Sequence, residues 1–138
     1  MDSRSTANFI CSLQKRGEKM DIKLYDSELR IMQVLWEEGD STAKRIAERM
    51  KEEVGWGKTT TYTVLKKCID KGAIERSDPN FVCHALVTRT QAQEYETAEL
   101  LDKMYGGRAD RLVAALLGSK RLTKREIEEL KKLLEDLE

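Results

Sequence analysis

A chain of 138 residues suffices for one compact domain, or for one domain with an appendage. Charged residues make up 36% and aromatics 6%, with a single proline, which favours a mostly helical, well-solvated protein over a sheet sandwich. Formal net charge is zero, which excludes a uniformly basic coat and leaves any affinity for a polyanion to a local face. Cys11, Cys68 and Cys83 are widely spaced, form no CxxC or CxC pair and fit no closed disulfide framework, so a reducing cytoplasm is the expected setting. No apolar run reaches the ~18 residues of a membrane span, and Phe9-Ile10-Cys11 is too short a core for a signal peptide.

Residues 1–20 are mixed polar and patternless, and are expected to be a disordered N-terminal extension, or to precede a natural start at Met20. An arm that touches nucleic acid has only Arg4, Lys15, Arg16 and Lys19 in its favour. From Met20 periodicity is continuous, and residues 21–88 read as one unit. The first helix is expected over 27–38, capped by Asp26 or Ser27, striped by Leu29, Met32, Leu35 and Trp36, and stopped by Gly39. Ser41 or Thr42 opens a second helix, with Ala43, Ile46, Ala47 and Met50 inward and Val54-Gly55 closing it.

The third helix lies within Trp56 to Gly72. At about 100° per residue, Thr61, Val64, Leu65, Cys68, Ile69 and Gly72 share one arc. Thr59, Thr60, Thr63, Lys66, Lys67 and Asp70 share the opposite one, and Tyr62 lies at the boundary. Between Trp56 and Gly72 four lysines (58, 66, 67 and 71) stand against one aspartate (70), a local charge of +3. A strand over 73–76, the turn Ser77-Asp78-Pro79-Asn80 and a second strand over 81–87 complete a two-stranded wing.

Residues 89–138 read as three short helices. A Thr88–Gln91 capping box starts the first, which carries Ala92, Tyr95, Ala98, Leu101 and Met104 up to Tyr105 and two glycines. The second carries Leu112, Val113, Leu116 and Leu117 and ends at Gly118. A Thr123–Glu126 box starts the third, striped by Ile127, Leu130, Leu134 and Leu137. About fifty residues cannot bury these faces well alone, so pairing with a second copy is expected, with packing back onto the same chain as the alternative.

Helix, short turn, helix and hairpin make a winged helix-turn-helix, which sets its third helix in a DNA major groove. Lys58 lies where free backbone N–H groups also attract phosphate, and Lys66 and Lys67 flank the groove. Thr59, Thr60 and Thr63 offer hydroxyls and methyls to base edges, Thr60 and Thr63 being the best placed. Arg76 is the only basic residue of the wing, and Asp78 at its tip repels phosphates, so a small wing contribution is expected. His84 and Cys83, adjacent on a strand, point to opposite faces, so no metal is expected there. No cofactor is expected either, and the single histidine with scattered carboxylates leaves no nucleophile–base constellation, so the chain is not expected to be an enzyme.

The order Leu29-x-x-Met32-x-x-Leu35-Trp36, then Trp56-x-x-x-Thr60-x-x-Thr63-x-x-x-Lys67-x-x-x-Lys71-Gly72, resembles the penicillinase-repressor family of bacteria, the BlaI/MecI/CopY group. Lys103-Met104-Tyr105-Gly106-Gly107 and Glu126-Ile127-Glu128-Glu129-Leu130-Lys131 are similar to that family's dimerisation region, and the likeness runs from about Lys23 onward. It implies a mainly α protein: a winged-helix DNA-binding domain followed by a three-helix C-terminal dimerisation domain. It implies a homodimeric repressor on double-stranded operator DNA with near-palindromic TACA/TGTA-type half-sites, contacted by Thr60, Thr63 and Lys67. Thr59 stands where relatives often have lysine. No cysteine follows Cys83, so the paired CxC motifs of copper-responsive relatives are missing. Antibiotic-responsive relatives are inactivated by cleavage at an Asn-Phe bond early in the first C-terminal helix, which implies an inactivating protease or sensor as a partner; the corresponding dipeptide here is Glu99-Leu100. The alternative reading is a winged helix that docks protein without sequence-specific DNA binding.

Overall fold

A computed structural model describes residues 22–137, so the expected N-terminal extension lies outside the described residues. The chain divides into two compact units, one reaching Gln93 and one running on from Glu94. In chain order the elements are α1 (Asp26–Glu38), β1 (Ser41–Thr42), α2 (Ala43–Val54), α3 (Lys58–Asp70), β2 (Ile74–Ser77), β3 (Val82–Ala85), α4 (Arg89–Tyr105), α5 (Ala109–Gly118) and α6 (Lys124–Asp136).

The first unit is a winged helix. Ile31, Met32, Val34 and Leu35 of α1, Ile46 and Met50 of α2, and Val64, Leu65 and Cys68 of α3 form one buried cluster with Ile74 and Cys83 of the sheet. The arcs anticipated for α2 and α3 face this cluster; in α1 Met32 and Leu35 are buried as expected, Ile31 and Val34 join them, and Leu29 and Trp36 are half-buried at the edge. Trp36 lies at its edge and donates its indole N–H to the Val87 carbonyl at 2.9 Å. Thr42 caps α2 by accepting from the Arg45 N–H at 3.1 Å, and Gly55 ends it in left-handed backbone at φ +73°.

Two local expectations, the N-cap of α1 and the starts of the wing strands, are corrected, and one strand was not anticipated. The N-cap of α1 is Tyr25, not Asp26 or Ser27, because the Glu28 carboxylate reaches back to accept the Tyr25 N–H at 2.9 Å. The expected two-stranded wing forms as β2 and β3, and an unanticipated third strand joins it in the order β1-β3-β2: Ser41 pairs with Cys83 and Thr42 with Val82. Two residues are too few to show a period, so β1 is invisible to alternation. The wing strands start one residue later than expected, at Ile74 and Val82, because Asn80 and Phe81 take left-handed backbone and extend the turn. Gly72 ends α3 as expected, just past the Lys71 cap, at φ +83°.

Both expected capping boxes form, one in each unit. Thr88 Oγ1 accepts the Gln91 N–H at 3.1 Å while Gln91 accepts the Thr88 N–H at 2.9 Å. Thr123 and Glu126 do the same at 3.2 and 3.0 Å. No residue of α5 or α6 is buried. No helix among the described residues is long and apolar enough to cross a membrane.

Candidate nucleic-acid interface

The face of α3 follows from its sequence. Thr61, Val64, Leu65 and Cys68 are buried, which turns Thr59, Thr60, Thr63, Lys66, Lys67 and Asp70 outward, all exposed. Gly57 caps the helix in extended backbone and brings no side chain to its first turn, so the leading N–H groups stay open to an outside acceptor. Lys58, Thr59, Tyr62, Thr63 and Lys66 together line one open concavity. Thr63 Oγ1 donates back to the Thr59 carbonyl at 2.9 Å, which commits its proton and leaves lone pairs and a methyl for a ligand.

Charge separates this face from its neighbour. On α2 the arginines are taken: Arg45 meets Glu38 at 2.8 Å, and Arg49 meets Glu37 at 2.9 Å and also Glu53. The Arg45 hydrogen bond holds the Glu38 carboxyl below the usual carboxylate range. On α3, by contrast, Lys58, Lys66 and Lys67 form no ion pair among the described residues; Lys58 only stands over the Tyr62 ring, 5.7 Å from its centroid. The fourth lysine of the +3 count does not belong to this face. Lys71 Nζ lies 2.6 Å from Glu28 Oε1 and 2.8 Å from the Lys23 carbonyl, and Glu28 is only 2% exposed. A buried carboxylate neutralises that charge, so the outward face keeps three lysines against Asp70.

Arg76 lies on the wing, not on α3. Its guanidinium is held by Asp78 at 3.1 Å and stacked on Phe81 at 3.6 Å. Tyr62, half-buried at the arc boundary as expected, meets Phe81 edge-on at 5.8 Å and also enters the α3 concavity. The lone histidine has two side-chain partners that were not anticipated. His84 Nε2 is 2.8 Å from Ser77 Oγ and Nδ1 is 2.9 Å from Asp40 Oδ2. That hydroxyl–imidazole–carboxylate chain sits on an open hairpin, its Asp40 side chain 63% exposed, and it ties both wing strands to the turn before β1. Asp40 lies 44 residues before His84, and the ladder pairs Ser77 with Val82 and His84 with Glu75, so neither contact was legible in the sequence.

Burial pushes the Cys68 thiol up to about 12, helped by the Glu28 charge, and the Cys83 thiol up to about 11. Both are packing residues. Among the described residues no group of His, Cys, Asp and Glu could hold a metal ion.

In the second unit, Met104, Val113, Leu116, Leu117, Leu134 and Leu137 are exposed, whereas Tyr95, Leu101, Tyr105, Leu112, Ile127 and Leu130 are half-buried. Leu100, not anticipated, joins the exposed set at 45%.

Residues 24–136 match the model of the penicillinase repressor family. The methicillin resistance regulatory protein MecI of Staphylococcus aureus (strain N315) is 28% identical over 120 residues, covering 83% of this chain and 98% of that protein. The penicillinase repressor of Bacillus licheniformis is 25% identical over 116 residues, covering 83% of this chain and 91% of the relative. The solved DNA-binding domain of the repressor BlaI overlays 53% of this chain and 92% of its own at 23% identity, with a TM-score of 0.48. With its family match spanning both units, the chain belongs to the penicillinase repressor family, whose members are transcriptional repressors and not enzymes.

Proposed function

We propose that this protein is a homodimeric transcriptional repressor that occupies a near-palindromic operator in double-stranded DNA, each copy laying α3 in a major groove. The observation that carries the reading is the contrast in charge pairing: the arginines of α2 are neutralised by glutamates, while Lys58, Lys66 and Lys67 of α3 form no ion pair among the described residues and lie beside three exposed threonines. Free cations and short hydroxyl side chains on one helix face suit phosphates and base edges. Exposed leucine, valine and methionine side chains on α4, α5 and α6, none shielded below 45% exposure at Leu100, Met104, Val113, Leu116, Leu117, Leu134 and Leu137, support pairing with a second copy. A dimer joins two weak half-site contacts, and such linkage is worth ~10²–10⁴ in affinity.

The likeness to antibiotic-responsive relatives brings a protease and sensor with it as the inducing partners, acting at or near Glu99-Leu100. That bond lies inside the 17-residue α4, so a protease must first unwind the helix there. The cytoplasm is the compartment that fits a DNA-bound repressor.

Titration of the protein's own promoter duplex at several salt concentrations tests the reading. Lys67→Ala is expected to weaken binding to every duplex and to lower the slope of log affinity against log salt by ~0.9. Thr60→Val is expected to relax sequence choice and leave the slope alone. Parental affinity and selectivity in both variants would overturn the assignment of α3.

A further inference from the structure

The wing carries an arrangement that the reading of α3 does not use. Arg76 projects from β2, and Asp78 and Phe81 flank the turn that follows. The Arg76 guanidinium carbon lies 3.6 Å from the centroid of the Phe81 ring, a stacked cation–π contact. Its donor edge meets a single Asp78 oxygen, Nε at 3.2 Å and Nη2 at 3.1 Å. Phe81 meets Tyr62 at 85° and 5.8 Å, and Lys58 stands 5.7 Å over Tyr62. A strip of cation, ring, ring and cation therefore joins the first turn of α3 to the wing. Phe81 holds φ +49°, a backbone that a bulky L-residue adopts only when something compensates, and the placement of its ring between Arg76 and Tyr62 supplies that compensation.

We propose that Asp78 is an internal stand-in for a DNA phosphate: its carboxylate occupies the donor edge of Arg76 that a backbone phosphate takes in the complex, and so sets the strength of the wing contact. The inference rests on the duplex-binding reading above. Both side chains are open to solvent, 45% and 65% exposed, so the pair is weak and exchangeable. A phosphate offers the same charge and more than one acceptor oxygen to the same guanidinium edge. While Asp78 is present the exchange adds no net cation to the interface, and the wing releases few counterions. Without it, Arg76 neutralises one further phosphate on a plane already fixed by Phe81.

The test is a fluorescence-anisotropy titration of the promoter duplex and a scrambled duplex with the full-length protein over a range of salt. Asp78→Asn is expected to steepen the slope of log affinity against log salt by ~0.9 and to raise affinity for both duplexes by about three- to tenfold at low salt. Asp78→Ser is expected to do the same, so a misfolded first variant does not decide the matter. The gain disappears in an Arg76→Ala background, and Glu75→Gln, which removes an exposed charge from the same hairpin, gives less than a third of it. Parental slopes in both Asp78 variants, an equal gain without Arg76, or an equal gain from Glu75→Gln would each overturn the proposal while leaving duplex binding intact. A parent that binds no duplex at any salt would overturn both.

Discussion

Lys71→Met is the substitution whose cost is most directly set by the geometry. Glu28 is 2% exposed, and one of its oxygens accepts from Lys71 at 2.6 Å and from the Tyr25 N–H at 2.9 Å. Its other oxygen is buried with no partner. Removing the lysine strands a buried carboxylate on one backbone hydrogen bond, a loss of ~3–5 kcal/mol for a fully buried pair. The Lys71 side chain is 30% exposed, so water can enter where it leaves, and the expected cost is about 2–4 kcal/mol. Glu28→Gln is expected to cost less, about 1–2 kcal/mol: the amide still accepts from Tyr25, its NH₂ group takes the unpartnered position, and Lys71 keeps the Lys23 carbonyl. The double variant should resemble Glu28→Gln, so the coupling should equal the Lys71→Met cost, about 2–4 kcal/mol. Urea unfolding followed by tryptophan fluorescence measures all three, because both tryptophans, Trp36 and Trp56, lie in the first unit. A Lys71→Met cost below about 1 kcal/mol, or one smaller than that of Glu28→Gln, would refute the account of Glu28 as a charge that needs its partner.

Thr61 Oγ1 is buried without a hydrogen-bond partner, so isosteric Thr61→Val should be neutral or stabilising by up to ~1 kcal/mol in the same unfolding assay. In a Cys11→Ser background the native protein should react with no thiol reagent at pH 8, since burial holds Cys68 up at about 12 and Cys83 at about 11 and the thiolate is the reactive form; both should label once urea unfolds the chain. The Glu126 carboxyl is held below its usual range by the Thr123 backbone N–H and then by the Thr123 side chain. A depressed carboxylate adds stability that is present above its unfolded pKa and is lost as pH falls through the folded one. The C-terminal unit should therefore lose helicity, followed by circular dichroism, on the acid side of the ordinary glutamate range, and Glu126→Gln should flatten that limb.

What could be read from residues alone was what repeats along the chain. The arcs of α2 and α3 follow from 3.6-residue periodicity, and every residue of the outward set on α3 is exposed. Both capping boxes were legible because three-residue spacing and side-chain chemistry are local. The features missed depend on groups brought together by folding. Glu28 and Lys71 are 43 residues apart, and only the packing of α1 on α3 turns a lysine counted toward the binding face into the partner of a buried acid. Asp40 and His84 meet only because β1 pairs with β3, a strand too short to announce itself. Arg76 and Asp78 stand two residues apart and their opposition of charge was visible, but the stack on Phe81 depends on the left-handed backbone of the turn. The apolar stripes of α5 and α6 were equally visible; Leu112, Ile127 and Leu130 are half-buried and the others are left exposed among the described residues.

Hydroxyl-radical footprinting on the protein's own promoter addresses the central claim, that paired copies present the free lysines and threonines of α3 to neighbouring major grooves. The account predicts two protected patches related by approximate two-fold symmetry, their centres a whole number of ~10-bp turns apart, and both lost in Lys67→Ala. A single unsymmetrical patch, or protection no stronger on the promoter than on a scrambled duplex, would contradict it.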